Sequence, residues 1–484
     1  MLFNSEVFLY AFLPLTLFAY YVARRSLGHD IALAVLTVAS LIYYAWWDVR
    51  FLALLLGSAG INFAIGRSLW QHKRRWLMVA GIAFNVAVLG FFKYADFVIA
   101  NVSALSGAAL TPLGIILPIG ISFITFQKIA FLADVYAGKT EPRSLVSYLL
   151  FVSFFPQLIA GPIVHHRQIA QQFGNKERKD DLAENLSIGL SIFIIGLAKK
   201  VLIADNAAVT ASALFAAAEH GNALPVGAAW IGVLSYTIQI FFDFSGYSDM
   251  ALGLARMFGY HLPINFNAPY CATSIIDFWR RWHITLSQFL RDYVYFPLGG
   301  NRLGSFRRYL NLMIVMLVGG LWHGASWTFV VWGGLHGTYL IINHLWRAIR
   351  GERPATLAGR IAGTAVTFFA VVIAWVFFRA ESFHGAFHIL GALAGQQGLA
   401  WSIDEDALTV VLIGLGLVYL LPDTPRFFAS VLEPRVLAEA NMEAEPASRW
   451  KWRPRWQYAM IAAALLFVVV LNLSKTSEFI YFQF

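Results

Sequence analysis

Between Arg308 and Arg347 the chain reads Tyr309-Leu310-Asn311-Leu312-Met313-Ile314-Val315-Met316-Leu317-Val318-Gly319-Gly320-Leu321-Trp322-His323-Gly324-Ala325-Ser326-Trp327, then runs from Thr328 to Trp346 without a single Asp, Glu, Lys or Arg. A bilayer-spanning helix needs about 17 to 25 mostly apolar residues, so this stretch is long enough for two short crossings. His323 sits inside it, with long apolar flanks on both sides. Further charge-free runs lie at Val7 to Ala23, Ile31 to Trp47, Phe51 to Gly66, Trp76 to Phe92, Phe97 to Gln127 and Ser144 to Val164. Others follow at Leu186 to Ala198, Gly221 to Phe242, Ile361 to Phe378, Ala407 to Pro422 and Trp456 to Ser474.

The 484 residues are 59% hydrophobic and 13% charged, with a mean hydropathy of +0.63. Soluble domains sit near about 45–50% apolar and about 25% charged. A chain this apolar cannot bury its surface against itself, which excludes a soluble enzyme and leaves an all-α polytopic membrane protein. The net charge of +9 fits Lys and Arg gathered in cytoplasmic loops to fix orientation. No basic run is interleaved with aromatics in a polar context, so nucleic acid is not expected as a partner.

Basic clusters at Arg24/Arg25, Lys73 to Arg75, Arg167 to Lys179, Arg280 to Arg308, Arg347 to Arg360 and Arg426 to Arg455 place those loops in the cytoplasm. The N-terminus then lies outside, as does the acidic loop carrying Glu381, Asp404, Glu405 and Asp406. One run conflicts with this alternation. Ser144 to Val164 lies between two basic segments, Lys139/Arg143 and Arg167 to Lys179, and so is not a simple crossing. Its Pro156, Gly161 and Pro162 point to broken helix or re-entrant backbone, which membranes tolerate only where protein or a water-filled cavity covers it. The segment hints at an internal chamber. About 12 crossings result, with both termini outside, in a single membrane domain over residues 1–484.

The first apolar run follows Glu6 rather than a basic region and reads as a retained helix, not a cleaved signal. The tail from Glu433 to Arg455 reads as an interfacial amphipathic helix with Trp450, Trp452 and Trp456 at the membrane surface. Cys271 is the sole cysteine. It excludes an intramolecular disulfide and reads as a buried structural thiol; nothing nearby marks it as an acyl carrier.

His323 is the first candidate for chemistry. Intramembrane ionisable groups are costly and usually face a cavity, and a neutral imidazole takes a proton from a hydroxyl near neutral pH. A histidine that only hydrogen-bonds between helices fits the same residues equally well. His283 lies in Phe278-Trp279-Arg280-Arg281-Trp282-His283-Ile284-Thr285-Leu286-Ser287. If helical, Trp279, His283 and Ser287 share one face while Asp277 and Arg281 pair on another. Taken alone, His283 reads as interfacial. Arg280 and Arg281 suit phosphates, because guanidinium forks match phosphate geometry. Gln239, Asp243, Ser245, Ser248 and Asp249 fall at the end of an apolar helix; the carboxylates orient a histidine, bind a cation or cap helices, and capping is the simplest. His336 packs or bridges helices. The pair His165/His166 lacks zinc-ligand spacing with a second cluster, and no metal is expected. Soluble enzyme motifs are absent.

The joint order of several short motifs resembles the membrane-bound O-acyltransferase family, in its bacterial alginate O-acetyltransferase branch. They are Met1 to Ser5, Leu117 to Phe123, Phe155 to Pro162, Phe242 to Asp249, Asp277 to Leu286, Arg291-Asp292-Tyr293, Pro297 to Arg302, Trp322-His323-Gly324, Trp375 to Ala380 and Tyr481 to Phe484. The resemblance implies a ring of helices with a thinned centre, where a cytoplasmic acyl donor and an acceptor from the other side meet one histidine. His323 matches the signature histidine and His283 the second, upstream polar position. It also implies the bacterial inner membrane, acetyl-CoA or a related acetyl source as substrate, no bound cofactor, and delivery toward an exported polysaccharide through a periplasmic partner acetyltransferase and the exopolysaccharide machinery.

On that reading Arg280, Arg281, Trp322, Asp243 and Asp249 are candidate substrate- or donor-binding positions. Arg280, Arg281, Arg302, Arg307 and Arg308 line a cytoplasmic mouth. His323 deprotonates an acceptor hydroxyl that attacks the thioester, and His283 stabilises the oxyanion or positions a substrate. Cellulose, peptidoglycan or a teichoic acid receiving D-alanine are alternative acceptors. A transporter would show paired interrupted helices in two related halves, and the sequence has no such symmetry.

Overall fold

Inside lipid a backbone has no water to bond, which leaves helices and closed barrels as spanning structures. Every regular element among the described residues is a helix. The computed structural model describes residues 1–176, 181–351, 356–442, 450–473 and 479–480. Two compact units divide the chain: Met1–Phe193 with Met250–Pro263, and Ile194–Asp249 with Ile264–Phe484.

The first unit begins with a π turn, Phe8–Phe12, running into α1 (Leu13–Ser26). It continues with α2 (His29–Ala45), α3 (Arg50–Gln71), α4 (Arg75–Ser106), α5 (Ile121–Tyr136), α6 (Leu145–Ser153), α7 (His166–Gly174) and the first part of α8 (Leu182–Ala198). Helix α1 packs on α2, and α5 packs on both α3 and α4. Polar residues bind these apolar helices where the hydrophobic effect cannot. Asn62 of α3 and Asn85 of α4 exchange amide hydrogen bonds of 3.1 and 2.7 Å, and Lys128 of α5 donates to Ser58 of α3.

Helix α6 stops at Ser153, and the backbone from Phe154 to His165 is non-helical while every residue in it is buried. Its polar groups are met from within the protein: the Phe155 N–H donates to Ser40 Oγ at 3.2 Å, and Gln157 Nε2 to the Phe151 carbonyl at 2.8 Å. The expected break at Pro156 to Pro162 is therefore present and covered.

Three expected boundaries move. Helix α4 passes through Lys93 and Asp96 and ends only at Gly107, whose φ of 68° closes it. Asp96 is accommodated because its carboxylate accepts from the backbone N–H groups of Leu113 (2.6 Å) and Ile115 (3.2 Å). The run expected to end at Ala198 continues through a π turn, Lys199–Ala204, into α9 (Asp205–Glu219). Likewise α10 (Val226–Met257) extends well past Phe242. Gln239, Asp243, Ser245, Ser248 and Asp249 are thus helix-interior residues and do not cap the end of that helix.

The second unit holds α11 (Ile275–Arg281), α12 (Ile284–Leu290), α13 (Gly304–His323), α14 (Trp327–Arg350), α15 (Leu357–Arg379), α16 (Phe383–Leu393), α17 (Glu405–Leu420), α18 (Thr424–Phe427), α19 (Pro434–Glu439) and α20 (Trp456–Asn472). Among the described residues, five helices are long and apolar enough to cross a membrane: α3, α4, the continuous Leu182–Glu219, α10 and α15. Three shorter helices, α2, α16 and α20, are also apolar. Of the spans, α10 is the most buried, at 83% of its apolar window, and α4 the least, at 17%, so α10 is where polar side chains can be hidden from lipid.

The tail departs from a single interfacial helix. Helix α19 ends at Glu439, and Trp452 is 5% exposed because it stacks on Phe428 at 5.7 Å. Trp450 and Trp456 are exposed. Part of that tail, and the motif Tyr481 to Phe484, lie outside the described residues.

Candidate active site

His323 is the last residue of α13, and Gly324 to Ser326 turn the chain into α14. Ser326 starts α14 by accepting from the Thr328 N–H at 3.3 Å. The two helices close tightly because glycines line their contact. A Cβ on Gly320 would run into the Phe329 carbonyl, and one on Gly333 into the Met316 carbonyl. The stretch Tyr309 to Trp346, expected to hold two short crossings, forms this helical hairpin with His323 at its tip; neither α13 nor α14 is among the five described helices long and apolar enough to cross a membrane.

The His323 ring is 5% exposed and is boxed by aromatics. Ring centroids of Trp322, Trp332 and Phe378 lie 4.9, 5.1 and 5.0 Å away. His283 is the fourth neighbour, at 6.5 Å. Hydrogen bonds of about 2.7–3.0 Å from each ring can meet at one oxygen across such a gap. Two residues far apart in sequence thus come together as expected of a shared site.

How His283 gets there differs from the helical-face expectation. The helix breaks: α11 ends at Arg281, and His283 takes φ 43°, ψ 54° before α12 starts. A left-handed conformation costs a residue with a Cβ about 1–2 kcal/mol, so the surroundings must impose it. They do so through a short backbone pairing, in which the Asn267 N–H donates to the Arg281 carbonyl at 3.0 Å and the Ile284 N–H to the Asn265 carbonyl at 2.9 Å. Trp279, His283 and Ser287 therefore do not share a regular helical face. His283 is 0% exposed; Asn265 Oδ1 lies 3.1 Å from its Nδ1, and the Phe244 ring meets it edge-on at 4.7 Å. Sequence reasoning missed Asn265.

His336 bridges helices as expected: its Nδ1 accepts from Trp279 Nε1 at 3.3 Å, tying α14 to α11. Its ring lies 4.8 Å from Trp332, which also flanks His323.

Asp243 and Asp249 find cationic partners. Lys200 Nζ sits 2.7 Å from both Asp243 and Asp205, and the Ile480 N–H donates to the second Asp243 oxygen at 2.8 Å. Lys199 pairs with Asp249 at 2.6 Å, whose Oδ2 also accepts from Thr424 Oγ1 at 2.6 Å. Gly246 makes room for these pairs, because a Cβ there would lie 2.8 Å from the Gly196 carbonyl of α8. Both lysines follow the apolar run that ended at Ala198, and two cations in the middle of apolar sequence were the signal for buried partners.

Among the arginines, Arg281 is engaged by Asp277 at 2.8 Å, the expected i,i+4 pair. Arg280 is exposed, and it acts electrostatically on His344 together with Arg308 of α13 and Arg347 of α14. Arg347 was not among the expected residues. Trp322 is 4% exposed and contacts both histidines. Burial pushes the Cys271 thiol up, outweighing the opposing pull of Arg281 and Arg426, which disfavours the thiolate an acyl carrier needs.

The model of the membrane-bound O-acyltransferase family matches residues 135–383, a span holding both His283 and His323. A "Probable alginate O-acetylase AlgI" of Pseudomonas putida is 40% identical over 100% of both chains. A "Peptidoglycan O-acetyltransferase" of Helicobacter pylori is 42% identical over 83% of this chain and 81% of its own. A "Teichoic acid D-alanyltransferase" of Streptococcus thermophilus is 28% identical over 54% of this chain and 68% of its own. With one relative matched from end to end and the family model covering the two facing histidines, the chain is an acyltransferase that belongs to the membrane-bound O-acyltransferase family.

Proposed function

We propose that this enzyme moves acetyl groups from a cytoplasmic activated donor, acetyl-CoA or a related source, across the bacterial inner membrane for O-acetylation of an exported polysaccharide. The observation that carries this reading is the meeting of His283 and His323 in a water-poor aromatic box. There His323 removes the proton of an acceptor hydroxyl, which attacks the acyl carbonyl and displaces the thiol. Exclusion of bulk water suits the step, since water would compete with the acceptor hydroxyl for the acyl group.

Coenzyme A is polyanionic and does not enter hydrocarbon, so its phosphates stay at a cytoplasmic mouth while the thioester reaches inward. Arg280, Arg308 and Arg347 supply that mouth, and a cluster of guanidinium groups matches phosphate. Trp322 lines the reacting end. Asp243 and Asp249, each paired with lysine, act through the scaffold rather than on the donor. A multi-pass topology of about 12 crossings with both termini periplasmic accompanies this reading, together with a periplasmic partner that passes acetyl to the polymer.

Alginate is the acceptor of first choice, because the relatives matched over their full length are named alginate O-acetylases. Peptidoglycan is the second reading, favoured by the 42% identity to the peptidoglycan enzyme. The test is the O-acetyl content of each purified polymer from cells with and without the gene. Acetyl loss confined to peptidoglycan would replace the first reading with the second.

A further inference from the structure

The geometry points to Asn265 as a positioning residue that holds His283 with its proton on Nδ1 and keeps Nε2 as a lone-pair acceptor. Asn265 is 1% exposed, and its Oδ1 is the meeting point of three groups. The Thr285 N–H lies at 3.3 Å, Thr285 Oγ1 at 2.9 Å and His283 Nδ1 at 3.1 Å. Its Nδ2 donates to Ser248 Oγ at 3.4 Å.

The Thr285 backbone N–H decides the assignment, because it can only donate. A flipped amide would set the Asn265 NH₂ against that N–H, two donors facing each other, whereas the Ser248 hydroxyl accepts or donates and fits either orientation. The atom facing His283 is therefore the amide oxygen, an acceptor only. His283 Nδ1 must then carry the hydrogen. A neutral imidazole has one ring hydrogen, so Nε2 is left with its lone pair. Rotating the ring by half a turn would put a carbon opposite Asn265 and lose the bond. Nor can the pair drift apart, because the Ile284 N–H donates to the Asn265 carbonyl at 2.9 Å and holds the two segments in register.

This inference rests on the acyl-transfer reading for its consequence, although the tautomer stands apart from it. A neutral His283 of this form cannot donate from Nε2 to an oxyanion, so the expected oxyanion role falls to other donors. It accepts instead. With the reacting hydroxyl giving its proton to His323, the Nε2 of His283 receives a second donor of the bound substrates, an amide N–H or a neighbouring hydroxyl, and fixes their approach. Ser248 gives the Phe242 to Asp249 motif a link to the site, through Asn265.

The test is nitrogen NMR of the full-length chain in bilayers with 15N-labelled histidine, the His283 signals being assigned by their loss in His283→Gln. The result expected is protonated Nδ1 and bare Nε2 at neutral pH; protonated Nε2 overturns the proposal. Initial rates of the same preparations complete it. Asn265→Leu is expected to lower kcat at least tenfold with KM within twofold, and Asn265→Asp, which keeps an acceptor oxygen, to recover part of the loss. Wild-type kcat in Asn265→Leu overturns the positioning role. If Asn265→Leu does not fold, the tautomer in the wild type and in Asn265→Asp still decides. The expected tautomer together with full activity in His283→Gln removes the site reading itself, so the two failures are told apart.

Discussion

His323 and His283 each sit where a helix stops, His323 at the tip of the α13–α14 hairpin and His283 at the break between α11 and α12. A side chain at a break is released from the helix's own repeat and can be aimed by distant residues, as Asn265 aims His283. The buried charges are governed the same way. Lys200 bridges Asp205 and Asp243 at 2.7 Å each with all three side chains nearly inaccessible, so removing the cation strands two carboxylates. Breaking a buried pair costs about 3–5 kcal/mol. Lys200→Met is accordingly expected to lower the melting temperature of the detergent-solubilised protein sharply, with Asp243→Asn milder because one carboxylate remains for the lysine; an unchanged melting curve for Lys200→Met would contradict the triad's structural role. His323 was legible in the sequence because its neighbours are apolar on both sides. The conformation of His283 was not, since it depends on a partner 18 residues upstream that no local pattern links to it. Asp243 and Asp249 were misread as caps for a similar reason, their lysines lying on another helix.

Helices in this protein outlast the charges that seem to end them. Asp96 in α4 accepts hydrogen bonds from backbone N–H groups of the returning chain, and Lys199 and Lys200 pair with carboxylates of α10. Apolar runs therefore located most helices but set several ends too early. The break at Pro156 was legible, because two prolines and a glycine in an apolar run leave few other conformations. The α13–α14 hairpin depends on close backbone approach at Gly320 and Gly333. Small residues at such contacts let membrane helices pack where the hydrophobic effect gives no drive. Gly333→Val must push the Met316 carbonyl away, an overpacking change of about 1–3 kcal/mol. The prediction is a lower melting temperature and reduced activity per molecule, because His323 rides on the displaced helix. Gly334→Val, whose added Cβ meets only a Leu317 methyl at 4.0 Å, serves as the control and should behave as wild type; equal behaviour of the two variants would contradict the packing argument.

Composition alone established the membrane and the helical class of the whole chain, since 59% hydrophobic residues with 13% charged have no soluble solution. Orientation follows from where Lys and Arg collect, and it is open to a direct check in a Cys271→Ser background. A membrane-impermeant maleimide added to spheroplasts is expected to label Leu399→Cys, in the acidic segment proposed to lie outside, and to spare Leu303→Cys, in the basic segment proposed to lie inside; both side chains are exposed, at 77% and 64%. The opposite pattern would invert the topology. What length and charge could not supply is the site, which exists only when α10, the Asn265 loop, α11, α13, α14 and α15 bring their side chains together. The most direct measurement of that site is the O-acetyl content of the exported polysaccharide in cells carrying His323→Ala, with the variant's membrane level matched to wild type by immunoblot. A lost general base is worth about 10²–10⁴ in rate, so acetylation is predicted to fall about a hundredfold or more, to background, while unchanged acetyl content at equal protein level would contradict the assignment of His323 as the acyl-transfer base.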